Sequence, residues 1–127
     1  MGIQSAVKNQ YLAYGASYKS SVALAAGTAE TVFSAASNTD GAIVWLACMN
    51  GYGTGAMGVL AAHTSAPATR VAGDVLLSGT AFANGTNNSQ GAQLASPVYV
   101  PAGKGVYFIV DTASESVGFR SALYTLL

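Results

Sequence analysis

Charge is what this sequence has least of. Five Lys and Arg stand against five Asp and Glu, so charged residues are 8% of a 127-residue chain and the formal net charge is zero. A surface this poor in cations has no field with which to gather phosphate backbones, which argues against nucleic acid as a partner. Cysteine is nearly absent: Cys48 stands alone, so no disulfide can form within the chain. It lies in the most apolar run, where a buried free thiol is the expected state. Histidine is equally scarce, with His63 alone in a turn near Pro67, and the acids Glu30, Asp40, Asp74, Asp111 and Glu115 are scattered singly. Neither a metal-ligand cluster nor a carboxylate pair is written into such spacing. No apolar run approaches the roughly 18 residues of a membrane-crossing helix. The opening residues put no apolar core behind a positive charge, so no secretory signal is expected and synthesis in the cytosol is the simplest account.

What is present is small and apolar, or small and polar. Hydrophobic residues make up 51%, much of it alanine, and 15 glycines are interspersed with Ser, Thr and Asn. The chain is organised around residues 42–49, AIVWLACM, its longest apolar run and the one that carries the single tryptophan. Turn formers close it on both sides, at residues 38–41 and 50–53, so it reads as a central strand buried on both faces. Residues 106–110, VYFIV, read as a second strongly buried strand. Shorter strand signals fall at 22–26, 30–34, 56–62 and 75–77. Another at 93–100 is split by Pro97 and so belongs at an edge or bulge. The last runs from 117 to the final residue. Seven to nine short antiparallel strands with Gly, Pro and Asn turns between them predict an all-β fold, a β-sandwich or jelly roll. Val44, Trp45, Leu46, Tyr107, Phe108 and Ile109 are its expected core.

Residues 1–20 have a different character. Val7, Tyr11, Tyr14 and Tyr18 recur every three or four positions, as on one face of a short helix. Alternatively Tyr14, Ala16 and Tyr18 line one side of an extended arm. Tyrosine offers contact area at low entropic cost, so these four residues are the expected oligomer or docking interface, ahead of a β-domain over 21–127. Weak colloidal repulsion near zero net charge favours association, and a homo-oligomer is the expected state.

Candidate chemistry is sparse. The glycine loop GYGTGAMG lacks the Lys-Ser/Thr of a phosphate-binding loop and does not sit in a βαβ unit. No G-x-S-x-G elbow is present. No catalytic residue, metal or cofactor is therefore assigned, and no enzymatic activity is expected. A patch for a surface glycan is conceivable where Asn50 and Tyr52 join Asn84, Asn87 and Asn88 of the Asn-rich loop. Trp45, the usual stacking residue, is expected in the core instead.

Several segments carry a resemblance: ETVF at 30–33, NTDGAIV at 38–44, HTSAP at 63–67, GDVLL at 73–77 and VYVPAGKGVYF at 98–108. Together they resemble the small β-sandwich virion accessory proteins of tailed bacteriophages and prophages, over the stretch from Glu30 to the C-terminus. The resemblance implies a non-enzymatic structural protein of the phage particle, made in the host cytoplasm and resident in the virion. It would be a capsid decoration or stabilising protein assembled symmetrically, as a homotrimer. Its partners would be its own copies and the major capsid or another virion protein, with no membrane. The chain is too short for a fibre shaft, which favours decoration of the capsid over a tail or head fibre. The alternative is a carbohydrate- or host-receptor-binding β-module. The resemblance supplies no catalytic residues.

Overall fold

The structure, a computed structural model, describes residues 16–20, 24, 27–52, 57–67, 73–80, 90–110 and 117–127. Most strands come from runs rich in Val, Ile, Leu, Phe and Tyr, and Gly27, Gly41, Gly73, Pro97 and Pro101 stand at the ends of several of them. In chain order they are β1 (Ala16–Ser20), β2 (Thr28–Phe33), β3 (Ala42–Tyr52), β4 (Met57–His63), β5 (Asp74–Thr80), β6 (Gln90–Gln93), β7 (Val98–Val100), β8 (Gly105–Val110) and β9 (Val117–Leu126). A 3₁₀ turn, Ala35–Ser37, links β2 to β3.

The strands form two antiparallel sheets. One has the order β1-β9-β3-β6, with β7 also paired to β3; the other has the order β2-β8-β4-β5. We call them the β3 sheet and the β8 sheet. Because β6 and β7 lie along the same strand, they act as one edge strand interrupted at residues 94–97. Pro97, which cannot donate to a ladder, falls in that interruption. Apart from this pair and the β4–β5 hairpin, each strand passes to the opposite sheet. Such an order is that of a double-sheet jelly roll. The all-β expectation of seven to nine antiparallel strands in a sandwich or jelly roll is what the structure shows.

The core lies between the sheets. Val44, Met49 and Ala122 of the β3 sheet face Phe33, Leu60, Leu77 and Phe108 of the β8 sheet. Burying each large side chain there is worth about 1.5–3 kcal/mol. The Phe33 and Tyr124 rings pack at 4.8 Å between centroids, joining the two sheets. At Gly58 the sheets approach so closely that a Cβ would lie 2.7 Å from Met49 Sδ.

One buried polar side chain fixes the turn before β8. Asn38 Nδ2 donates to the carbonyls of Pro101 at 2.8 Å and Lys104 at 2.9 Å. Gly103 N donates back to Asn38 O at 2.8 Å, with Gly103 at a φ of +79° that other residues rarely adopt.

Several expectations need correction. The run 42–49 is not buried on both faces. Val44, Ala47 and Met49 are buried, but Leu46 is 60% exposed and Trp45 and Cys48 are only half-buried. The cause is a bulge between Val44 and Leu46 in the pairing with β9. It inserts Trp45 and shifts the alternation by one residue, so Trp45 and Leu46 both leave the core they were expected to fill. Val44, Tyr107, Phe108 and Ile109 are buried as expected, and β8 is buried along its whole length. The separate segment expected through residue 20 ends earlier, because Ala16–Ser20 is a strand of the β3 sheet. Tyr18 therefore packs on its own domain, 6.2 Å from the Phe108 ring, rather than standing free for docking. Of the strand expected at 22–26, only Leu24 is described; it is buried and lies outside any strand.

Candidate interaction face

Alternation along β3 and β9 decides what the β3 sheet presents to solvent. The pairing sets Ile43 beside Thr125 and Tyr99, Leu46 beside Leu123, and Cys48 beside Ser121 and Gln93. With Val44, Ala47 and Met49 turned inward, these rows face out. Tyr99 is 58% exposed and Phe119 47%. Bulging at Trp45 adds the indole to this side, where Nε1 donates to Thr125 Oγ1 at 2.7 Å. Cys48 Sγ sits 3.0 Å from Ser121 Oγ. Between the projecting residues runs a shallow groove of about 420 Å³, floored by Cys48, Ser121 and Ser17 and flanked by Leu46, Leu94 and Leu123. A smaller notch beside it is lined by Trp45, Leu94 and Pro97. Among the described residues, no charged side chain stands on this face; Lys19, in register with Ser121, is the charged position at its β1 margin.

The outer face of the β8 sheet is closed over its middle strands, whereas Val75 of β5, in register with Ala61, is 55% exposed. Val59, Ala61, Tyr107 and Ile109 form a second buried cluster there, each 4% exposed or less.

One ion pair lies inside, at the edge where β1 and β2 face each other, while a second, Lys104–Asp74, is on the surface. Arg120, fully buried on β9, donates through Nη2 to Glu30 Oε2 at 3.0 Å and to Ser20 Oγ at 3.2 Å. Tyr18 donates its hydroxyl to Glu30 Oε1. Burial alone would raise the Glu30 carboxyl. The hydrogen bonds from Arg120 and Tyr18 and the Arg120 charge outweigh it and hold the group below the usual carboxylate range. Burial, with the hydrogen bond to Glu30 and its charge, pushes the Tyr18 phenol up to about 12. The cluster joins the two sheets and holds its charges in place. Sequence reasoning passed over it, although a lone Arg among the apolar residues of β9 signals a buried charge in need of a partner.

Other expected site residues fall elsewhere. Asn50 and Tyr52 lie at the far end of β3, in register with Phe119 and Val117. Val7, Tyr11, Tyr14, Asn84, Asn87 and Asn88 lie outside the described residues. His63 closes β4, with its Nδ1 3.2 Å from the amide of Ser65. Among the described residues, no three His, Cys, Asp or Glu side chains come together as a metal site. Searches against protein-family models, curated proteins and solved structures return no match to this chain.

Proposed function

We propose that this chain is a non-enzymatic structural component of a bacteriophage particle, a capsid decoration or stabilising protein that works as a symmetric homo-oligomer. The observation that carries this reading is the exposure of Leu46, Tyr99 and Phe119 on one sheet of a jelly roll, in a chain whose net charge is zero. Double-sheet jelly rolls are a recurrent architecture of capsid proteins, which supports the reading by analogy of fold alone. The sequence resemblance described above points the same way. Residues 1–15, with Val7, Tyr11 and Tyr14, are the segment proposed to anchor the body to the major capsid or another virion protein.

The test is electron microscopy of native particles beside particles made without this gene product. The expected result is extra density at symmetric positions on the head, restored by adding purified protein. Absence of the chain from purified particles would overturn the reading. Deleting residues 1–15 is expected to abolish restoration while leaving the body folded.

A carbohydrate-binding module remains the second reading, and one observation favours it. Trp45 is half-exposed beside the notch at Leu94 and Pro97, where an indole can serve as a stacking platform. Titration of glycans against the fluorescence of this single tryptophan is the check. Saturable quenching, together with glycan binding by calorimetry that Trp45→Ala abolishes, would support it.

A further inference from the structure

We infer that the outer face of the β3 sheet is where a second copy of this chain seats, sheet against sheet about a two-fold axis. The inference rests on the reading of the chain as a self-assembling component and names the surface through which it assembles, as a two-fold pair in place of the trimer that the resemblance implies.

Three observations commit the face to its own copy. The first is charge. In a two-fold contact each patch meets itself, so any charge near the axis would oppose its own kind. Around the middle of this face, at Leu46, Cys48, Ser121 and Leu123, no residue is charged, and Lys19, in register with Ser121, belongs to the edge strand β1. The second is shape. Leu46 projects, at 60% exposure, from the lining of a groove that also includes the small residues Cys48, Ser121 and Ser17. A knob and a hole on one face are what self-complementarity requires. The third is size. The strands of this sheet hold 5, 10, 11, 4 and 3 residues, and at about 3.3 Å by about 4.8 Å per residue they cover roughly 520 Å². Two such faces bury roughly 1,000 Å², the size at which a specific interface begins.

Sedimentation equilibrium of the full chain, alongside Leu46→Glu and Val75→Glu, tests this. Val75 is 55% exposed on β5, in the other sheet, and serves as the surface control. The native protein is expected at twice its 12.7 kDa chain mass. Leu46→Glu is expected to weaken self-association by about 30-fold or more, the scale of an interface hot spot. Its circular dichroism and unfolding transition should stay native, and Val75→Glu should associate as the native protein does. A native protein that stays at single-chain mass at about 100 µM, far above the Kd of an ordinary specific complex, would overturn the inference. So would a Leu46→Glu variant that associates normally, or a trimer closed through this face by unlike surfaces. Particle incorporation separates the two proposals. Dimers absent from particles sink only the particle reading, whereas incorporation of a monomeric native protein sinks only the two-fold face.

Discussion

The outer faces of the two sheets are built from the same kind of residue and end differently. On the β8 sheet, Val59, Ala61, Tyr107 and Ile109 are closed over within the chain. On the β3 sheet, Leu46, Tyr99 and Phe119 remain open to solvent. Contiguous exposed apolar surface on a folded domain marks an interaction site far more often than an accident of composition. One face thus belongs to the packed fold, and the other is the face proposed to meet a second copy.

That contrast is breakable by mutation. The largest effect is expected between the faces, at the charge cluster common to both sheets. Arg120→Ala leaves Glu30 partly buried without its guanidinium and should cost about 3–5 kcal/mol in urea unfolding. A cost under 1 kcal/mol would mean that the cluster does not tie the sheets together. Next is Ile109→Ala on the closed face, expected to cost about 2–5 kcal/mol as a cavity in a packed site. Leu46→Ala on the open face should change the stability of the dilute chain by no more than about 0.5 kcal/mol. Equal costs at these two positions would erase the distinction between the faces. Between these extremes, Gly41→Ala should cost about 1–3 kcal/mol, because Gly41 sits at φ +110°. A Cβ there would also meet the Tyr99 ring 2.6 Å from its hydroxyl oxygen, so the substitution disturbs one end of the open face.

Acid and alkali probe the cluster apart from either face. Glu30 is held below the usual carboxylate range. Its contribution is therefore present above the unfolded-state carboxylate pKa and is lost as pH falls through the lowered native value. Tyr18 is raised from 10.0 to about 12. Its contribution is present below the ordinary tyrosine pKa and is lost as pH climbs from there to about 12. Thermal unfolding against pH should show both slopes, and Glu30→Gln should flatten the acid one. An acid slope unchanged in that variant would contradict the assignment.

Much of this was legible in the residues, and the failures have physical causes. Turn chemistry and short apolar runs are enough for the all-β sandwich, because Gly or Pro stands at an end of β2, β3, β5 and β7 and the strongest apolar runs fall in β3, β4 and β8. Residues 106–110 read as a strongly buried strand, and they are buried throughout. The reading of residues 42–49 as buried on both faces fails, since hydrophobicity reports how apolar a strand is and not whether its outer side is covered. The bulge at Trp45 was invisible for a related reason. It is set by register against β9, some 80 positions away. Residues 16–20 were placed with an arm because Tyr14 and Tyr18 fit helical spacing, whereas pairing with β9 decides their state. The Glu30–Arg120 pair joins residues 90 positions apart, which no local pattern encodes.

The most direct measurement is the alkylation rate of Cys48 as protein concentration rises. Its thiol lies in the groove at the centre of the open face and is the one thiol in the chain. The expected result is a rate that falls at least several-fold over the concentration range in which the mass doubles, with Leu46→Glu keeping the dilute rate throughout. A thiol that reacts equally fast in the associated and the dilute protein would show that the face stays open, and that copies meet elsewhere.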